Sequence, residues 1–287
     1  LIRENLYEQM CYLVIELKIA FQGEHGAYSE MASLQHFGSN IELMPFKTLF
    51  EVFGAVENRK ANYAVVPIEN SIEGSINETY DLLINTRMTV CNEIYFHVIH
   101  CLISYKESDL SKIRTVYSHP QALAQCRSFL RKHMMEPIPF YDTAGSVKML
   151  KDFPKDNTGA IASQRAAETY ELEVIEKGIE DNKNNYTRFI VLSDGDSEPT
   201  GNDKTLAIFT TKHLPGALYK VIGEFSSMDI NLTMIVSRPT KGTPWEYNFF
   251  VDFEGHRNNS KIKECLERLS NNTEFFKVLG SYPRFKQ

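Results

Sequence analysis

The chain has 287 residues, a length that favours two domains over one. Its hydrophobic fraction of 43% and charged fraction of 24% are typical of a soluble globular protein. A formal net charge of -6 and the lack of a basic stripe argue against a nucleic-acid partner, and no apolar run is long enough to predict a membrane span.

The cysteines and histidines predict neither disulfides nor a metal site. The cysteine count is odd and no two cysteines form a C-x-x-C pair, which is typical of free thiols in a reducing cytoplasm. The eight histidines form neither an H-E-x-x-H motif nor a cluster with cysteine, so we expect no metal and no other cofactor. The cysteines are Cys11, Cys91, Cys101, Cys126 and Cys265.

The first ten residues are left out of the fold prediction. Residues 4–9, ENLYEQ, resemble a protease-tag remnant with one residue changed, and the chain starts at Leu1 instead of Met.

After this segment, strand and helix patterns alternate. Strands are predicted at 18–22, 63–68, 90–104 (one or two strands), 115–117 and 159–163, and helices at 29–37, 48–58, 78–85, 118–131, 143–151 and 164–171. Ser75, Ser118 and Asp142 stand where helix caps are expected. Repeated β-turn-α units predict a mostly parallel sheet with helices on both faces, with anion sites where helices begin at its carboxyl edge.

The pattern changes after residue 192. Residues 193–203 are polar and contain glycine and proline, which predicts a linker between a domain at 18–192 and a domain at 204–287. In the second domain, strands are predicted at 205–211, 231–237, 245–253 and 275–279, with helices at 215–227 and 260–269. This βαββαβ order is ferredoxin-like, and its small size predicts pairing with a second copy.

The most informative motif is Thr187-Arg188-Phe189, which enters an apolar strand. A strand fixes backbone position, so a cation there suits a substrate carboxylate, with a hydroxyl donor beside it. The motif follows Tyr170-x-Leu172-x-x-Ile175 and Asp181, and this spacing resembles the signature of prephenate dehydratases.

Four further segments resemble the same family in the same order. They lie at 18–30, 64–83, 117–126 and 141–146. Many dehydratases have Thr and Phe where this chain has Ala27 and Tyr28, so one hydroxyl expected near the substrate is missing. The substrate-binding residues implied by the resemblance are Gly26, Tyr28, Ser29, Glu69, Ser118, His119, Thr143, Ala144 and Phe189.

The resemblance implies an α/β domain with two periplasmic-binding-protein-like lobes around a cleft, followed by a regulatory ACT domain. It also implies conversion of prephenate to phenylpyruvate with loss of water and CO2, in phenylalanine biosynthesis. Relatives with a chorismate mutase domain carry it ahead of this block; about 17 residues precede Lys18, so we expect a monofunctional enzyme.

The roles of four residues follow as hypotheses. Arg188 holds a carboxylate of the dianionic substrate, and Thr187 donates a hydrogen bond to the departing ring hydroxyl. Asn70 and Ser71 position that end of the ring, while Phe189 lines the cleft or packs the strand beneath it. If Thr187 is not the donor, His119 or Glu69 becomes the candidate acid.

Two segments of the last domain, at 214–219 and 231–239, resemble the phenylalanine-binding parts of ACT domains. The implied effector residues are Gly216, Ala217, Leu218, Asn231, Leu232, Ser237, Arg238 and Pro239. Family members usually have a basic residue at the place of Met234 and Glu at the place of Val236, which puts phenylalanine control in question. The domain could instead serve only for dimerisation, and we expect a homodimer or homotetramer.

Three other functions stay open. Arogenate dehydratase runs the same chemistry on an aminated substrate, whose ammonium needs a carboxylate such as Glu69 or Asp142. A second is an amino-acid sensor without catalysis, and a third is a scaffold without a small-molecule site.

Overall fold

The computed structural model describes residues 17–240, 242 and 245–285. The predicted tag remnant at 1–10 and Cys11 lie outside the described residues. The strands are β1 (Leu17–Gln22), β2 (Ile41–Phe46), β3 (Tyr63–Asn70), β4 (Gly74–Ser75), β5 (Thr89–His97), β6 (Cys101–Ser104), β7 (Thr115–Ser118), β8 (Glu136–Pro139), β9 (Thr158–Ala162), β10 (Glu173–Lys177), β11 (Tyr186–Ser193), β12 (Asp203–Thr210), β13 (Leu232–Pro239), β14 (Tyr247–Glu254) and β15 (Phe275–Pro283). The helices are α1 (Tyr28–Phe37), α2 (Leu49–Glu57), α3 (Asn77–Asn85), α4 (Pro120–Gln125), α5 (Arg127–Lys132), α6 (Thr143–Asp152), α7 (Gln164–Tyr170), α8 (Ala217–Ser227) and α9 (Ser260–Asn272).

The first lobe is built on a mixed sheet of order β2-β1-β3-β11-β5, with the short β4 beside β3. Strand β1 pairs in parallel with β2 and β3, whereas β11 pairs antiparallel with β3 and β5. The chain leaves this lobe after β5 and returns only at β11. That return makes the sheet mixed, instead of mostly parallel as the sequence predicted.

The second lobe repeats this plan with a sheet of order β10-β6-β9-β7-β8. Strand β7 pairs in parallel with β8 and β9, whereas β6 pairs antiparallel with β9 and β10. Two crossing segments, at 98–100 and 178–185, join the lobes. The two-lobed α/β fold class is confirmed.

Four strands were not predicted from the sequence, namely the two-residue β4 and three edge strands. β2, β8 and β10 are each at the edge of a sheet. β2 contains Pro45, and β8 contains Pro137 and Pro139. Proline cannot donate a backbone hydrogen bond to a neighbouring strand and is tolerated mainly at sheet edges, so it argues against a strand in the sequence. β10, with the sequence EVIEK, lacks the apolar run that marks a central strand.

Of the three helix caps predicted from the sequence, one is confirmed and two are wrong. Asp142 caps α6 as expected, because its Oδ1 accepts from Gly145 N at 2.6 Å. Ser75 does not cap α3, which begins after Ile76 without a side-chain cap bond. Ser118 does not cap α4 either; His119 accepts from Gln121 N instead.

The C-terminal domain has the predicted βαββαβ order, and its sheet runs β13-β14-β12-β15. Side chains alternate along β12 because successive residues of a strand face opposite sides. Ala207 and Phe209 pack beneath α8 and α9, whereas Leu206 and Ile208 pack into the core of the first lobe. The sheet therefore has helices on one face and the first lobe on the other.

The C-terminal domain and the first lobe approach each other closely at a point where two backbones meet. A Cβ built on Gly280 of β15 would lie 2.1 Å from the carbonyl oxygen of Val90 in β5. No side chain fits between the two strands here. Of the helices in the described ranges, none is long and apolar enough to cross a membrane.

Candidate functional site

A cavity of about 150 Å³ lies in the cleft between the two lobes. Both lobes and the first crossing segment contribute to it. Its lining residues are Tyr28, Ser29, Pro67, Asn70, Ile76, Val98, His100, His119, Gln121, Ala122, Gln125, Thr143, Thr187 and Phe189.

Strands β3 and β11 contribute four of the first lobe's side chains to this cavity, namely Pro67, Asn70, Thr187 and Phe189. Thr187 pairs with Asn70 and Phe189 with Pro67, and the register shifts between these two pairs. The shift is a β-bulge, in which one strand carries an extra residue. Because of the bulge, both Asn70 and Pro67 face the cleft although they are three positions apart.

Asn70 connects the hydroxyl of Thr187 to the second crossing segment. Its Nδ2 donates to Thr187 Oγ1 at 3.1 Å and to Asn185 Oδ1 at 2.9 Å. Asn185 Nδ2 in turn donates to Gln125 Oε1 of the second lobe at 2.8 Å. Asn70 and Asn185 are both buried.

The chain of hydrogen bonds continues through a buried histidine. His100 Nε2 lies 2.8 Å from Gln125 Oε1, and its Nδ1 lies 2.8 Å from the Tyr28 hydroxyl. Burial lowers the pKa of His100, against opposing effects of Gln125 and Glu180, so the ring is neutral near pH 7. We define the cleft network as Tyr28, His100, Gln125, Asn185, Asn70 and Thr187.

Proton directions in the cleft network follow from its acceptors. Gln125 Oε1 can only accept, so the single N–H of neutral His100 is on Nε2 and Nδ1 is an acceptor. The Tyr28 hydroxyl lies 2.8 Å from Nδ1 and 3.0 Å from the Ile99 carbonyl oxygen, so its one proton is shared between these two acceptors. Thr187 Oγ1 accepts from Asn70, and in the described part of the chain no group accepts the Thr187 proton. Thr187 is therefore a free donor at the cavity wall, 9% exposed.

Arg188 does not face the cleft, which corrects its expected role as the holder of a substrate carboxylate. Its Nε donates to Glu93 Oε2 at 2.9 Å, and its Nη2 donates to Asp252 of the C-terminal domain and to Tyr282 Oη at 3.0 Å. The side chain alternates away from Thr187 to the opposite face of the sheet. Glu69 pairs with Arg188, so it shares that face and is not a cleft residue either.

Three other predicted residues also have side-chain positions that do not fit direct substrate contact. Ser71 is exposed and its Oγ donates to the Asn184 carbonyl at 2.7 Å. Ser118 is fully buried, and its Oγ donates to the Ile161 carbonyl at 2.6 Å. The side chain of Ala144 lies in a hydrophobic core.

Gly26 supports the fold of the cleft instead of lining the cavity. Its φ is +90°, and an added Cβ would lie 2.5 Å from Cα of Ala166 in α7. The Gly26 carbonyl accepts from Ser163 Oγ at 2.6 Å, and its N–H donates to Glu30 at 2.9 Å. The glycine lets the β1–α1 turn touch the second lobe directly.

Ser29, His119, Thr143 and Phe189 line the cavity, as does Tyr28. Burial lowers the pKa of His119, although Asp142 acts in the opposite direction. His119 is thus mostly neutral near pH 7, and its Nδ1 already accepts from the Gln121 amide at 3.3 Å. It is poorly suited to act as a general acid.

The predicted effector residues do not meet within one chain. Gly216, Ala217 and Leu218 line a groove of about 320 Å³ that also includes Trp245. Asn231 and Leu232 line a different groove of about 750 Å³. The two groups flank opposite ends of α8, whose 11 residues span about 16 Å.

The rest of the second segment lies on β13. Arg238 forms a bidentate ion pair with Asp81 of α3, at 3.1–3.2 Å. Met234 Sδ accepts from the Tyr80 hydroxyl at 3.1 Å, and Val236 packs against the first lobe's core. These three side chains alternate with Ser237 and Pro239, which are exposed. The positions that depart from the family pattern thus face the domain interface.

Comparison with protein families gives two matches. A family profile described as "Prephenate dehydratase" matches residues 19–197, and one described as "ACT domain" matches residues 206–271.

Named relatives align with most of the chain. A bifunctional chorismate mutase/prephenate dehydratase from Aquifex aeolicus is 40% identical and covers 94% of this chain, which spans 74% of that protein. A prephenate dehydratase from Methanocaldococcus jannaschii is 40% identical, over 91% of this chain and 96% of its own length. An arogenate dehydratase/prephenate dehydratase from Arabidopsis thaliana is 37% identical, over 93% and 73%.

Two solved structures are similar along nearly their whole length. A prephenate dehydratase from Arthrobacter aurescens in complex with L-Phe has a TM-score of 0.85 and 30% identity, over 93% of this chain and 90% of that one. A chain described as a novel type of quorum-quenching acylase has a TM-score of 0.86 and 32% identity, over 93% and 98%.

Proposed function

This chain belongs to the prephenate dehydratase family, and on that premise we propose that its cleft converts prephenate to phenylpyruvate. The enzyme is a hydro-lyase. A proton joins the ring hydroxyl, which leaves as water. The ring carboxylate leaves as CO2, and the electron pair of the broken C–C bond completes the aromatic ring. The observation that carries the proposal is the free hydroxyl donor of Thr187.

Thr187 donates to the departing hydroxyl in this proposal. Its oxygen accepts from Asn70, so the only proton it can donate is directed at the cavity. A threonine hydroxyl is a weak acid, but aromatisation makes the elimination strongly downhill. The fixed Thr187 hydroxyl stabilises the negative charge that develops on the leaving oxygen. Thr187 keeps its own proton, and the proton that completes the water molecule comes from solvent.

The negative charges of prephenate need partners other than Arg188. No lysine or arginine is among the residues that line the cavity. Helix α1 begins at Tyr28 without a side-chain cap, and the first N–H groups of a helix have no intrahelical acceptor. Ser29, in the first turn of this helix, lines the cavity, so this end of the helix lies at the cavity wall. We propose that the N-terminus of α1 binds a carboxylate.

The second lobe offers a less favourable anion site. Thr143 opens α6 at the cavity, but the Asp142 carboxylate already occupies that helix end. The cavity of about 150 Å³ is smaller than the roughly 300 Å³ or more of typical ligand sites. Substrate entry therefore requires the lobes to separate, and closure would exclude water from the departing groups.

Prephenate fits the cleft better than arogenate. The ammonium of arogenate would need a carboxylate, and no acidic side chain is among the cavity-lining residues. Glu69 faces the opposite side of the sheet, and Asp142 is committed to capping α6. Parallel turnover of the two substrates decides between them.

The similarity to an acylase raises acyl transfer as a second reaction, but the Thr187 hydroxyl is not suited to it. A nucleophilic threonine needs a base that accepts its proton. Thr187 instead receives a hydrogen bond from Asn70, an amide that cannot take up a proton, and no described residue accepts the proton of Thr187. The similarity to an acylase therefore assigns no nucleophilic role to Thr187.

We propose that phenylalanine regulates the enzyme through its ACT domain, in a homodimer or homotetramer. The predicted effector segments lie in separate grooves of one chain. A second copy could bring the Gly216 segment against the Asn231 segment, and this would complete a site. We also propose a cytoplasmic location, since Cys91, Cys101, Cys126 and Cys265 are free thiols.

The first experiment measures phenylpyruvate formation by the purified chain. Prephenate and arogenate are offered in parallel, with phenylalanine added or withheld. We expect turnover of prephenate in excess of arogenate, and a change in rate with phenylalanine. Product from neither substrate, in a folded sample, would favour the non-catalytic sensor. Turnover that ignores phenylalanine would keep the enzyme and remove the regulatory proposal.

A further inference from the structure

Four charged side chains and one tyrosine form a buried cluster between the first lobe and the ACT domain. Each of the five is at most 4% exposed. Arg188 and Glu93 come from the first lobe, on β11 and β5. The interface charge cluster consists of Glu93, Arg188, Lys204, Asp252 and Tyr282.

The ACT domain supplies most of the partners of Arg188. Lys204 Nζ lies 3.0 Å from Glu93 Oε2 and 3.5 Å from Asp252 Oδ2. Tyr282 Oη accepts from Arg188 at 3.0 Å and donates to Asp252 Oδ1 at 2.9 Å. Two cations and two carboxylates cancel, so each buried charge has a partner of opposite sign.

This cluster holds the residue that follows Thr187 in the chain. Arg188 and Thr187 share a peptide bond and face opposite sides of β11, so the position of one restricts the other. The β-bulge interrupts the β3–β11 ladder between Arg188 and Phe189. The ladder to β3 is thus locally disrupted next to Arg188, one residue from Thr187, whereas the ladder to β5 continues. The interface charge cluster supplies an additional anchor at this point.

We propose that Asp252 and Lys204 of the ACT domain are positioning residues for dehydration, which hold Arg188 and thereby fix the Thr187 hydroxyl in the cleft. This inference rests on the proposed function of Thr187. It gives the ACT domain a part in catalysis itself, apart from any effector. A change in how the ACT domain packs on the first lobe would therefore alter the position of the Thr187 hydroxyl through the Arg188 side chain.

A charge-balanced pair of substitutions tests the proposal. Asp252→Asn or Lys204→Met alone leaves one uncompensated buried charge, and we expect each single variant to lower the thermal unfolding temperature. The double variant restores neutrality and should regain much of that temperature. It still loses the ion pair between Arg188 and Asp252 and keeps only the neutral hydrogen bond to Tyr282, so we expect kcat to stay about tenfold to a hundredfold below wild type, with KM little changed.

Lys277→Met is the matched control. Lys277 also joins the ACT domain to the first lobe, because its Nζ donates to the Thr86 carbonyl at 2.7 Å. Among the described residues, its side chain forms no hydrogen bond or ion pair with β11. We expect this variant to retain kcat. Recovery of kcat together with stability in the double variant, or an equal loss in Lys277→Met, would overturn the proposal.

Amide hydrogen exchange gives a second measurement that does not depend on activity. We expect faster exchange at 186–189 in the double variant and wild-type exchange there in Lys277→Met. If the wild-type chain forms no phenylpyruvate, the proposed function fails and exchange alone decides whether the cluster positions Thr187. Unchanged exchange at 186–189 in the double variant would then reject the positioning role.

Discussion

The two faces of strand β11 hold their polar groups by different means. On the cleft face, Thr187 belongs to a network of neutral side chains that reaches the second lobe through Asn185. On the opposite face, Arg188 belongs to a cluster of full charges that reaches the ACT domain through Asp252. Neutral hydrogen bonds orient the side chains that form them but contribute little net free energy. A buried charge, in contrast, strongly destabilises the protein when its partner is removed.

This difference separates two functions between two consecutive residues, Thr187 and Arg188. The cleft network crosses both connections between the lobes, so opening of the cleft has to rearrange it. The interface charge cluster avoids the second lobe altogether. We therefore expect changes on the cleft face to affect turnover most, and changes on the other face to affect stability most.

The largest effect on stability is expected from Arg188→Met. It leaves two buried carboxylates, Glu93 and Asp252, with only Lys204 to compensate them. Breaking a buried ion pair from one side costs about 3–5 kcal/mol, which urea unfolding can measure. Arg59→Met is the control, because Arg59 pairs with Asp194 in an ion pair whose side chains are 86% and 76% exposed. Equal losses in the two variants would contradict the distinction.

Thr187→Val should have the largest effect on turnover with little effect on stability. Valine keeps the shape and removes the donor, and loss of one such donor lowers kcat by about 10²- to 10³-fold. Steady-state kinetics with prephenate measure the effect. Thr187→Ser is the control, since it retains a hydroxyl. Near-normal kcat in Thr187→Val would remove the donor role.

Gln125→Leu tests the connection between the lobes. It leaves the N–H of His100 Nε2 and one N–H of Asn185 without their acceptor, and each unsatisfied buried donor costs about 1–3 kcal/mol. Both the free energy of unfolding and kcat are measured. Gln164→Leu serves as the exposed control. Equal free energies of unfolding and equal kcat in the two variants would show that the hydrogen bonds of Gln125 do not matter.

The smallest effect concerns pH. The folded pKa of His100 lies below its unfolded value of about 6.5. The unfolded chain therefore binds this proton first, so the stability contribution is complete above pH 6.5 or so and is lost as the pH falls toward the folded pKa. We expect the stability of wild type to fall more steeply below that pH than that of His100→Gln. Parallel slopes would show that the ring does not titrate as described.

The sequence predicted the elements well where apolar periodicity was strong. β1, β3, α6 and both helices of the ACT domain lie close to their predicted positions. The edge strands were missed because they carry proline or few apolar residues. The mixed sheets could not be predicted from local pattern, since the antiparallel position of β11 depends on a return from the second lobe.

The site was predicted only in part. Thr187, Asn70 and Phe189 line the cavity, but the adjacent Arg188 was assigned to the same side, and strand alternation should have separated it. His100, Gln125 and Asn185 were missed. Gln125 stands in a segment that resembles the family, but nothing local marks it as a cleft residue. Its role arises from contact with both crossing segments.

The contact of Gly280 with Val90 also defines how the two domains can move. Side chains normally absorb small displacements by changing rotamer, but here backbone meets backbone with no room even for a Cβ. Sliding at this point is therefore blocked in one direction. We expect any reorientation of the ACT domain to keep this backbone contact or to open it, because the two strands cannot move closer together here.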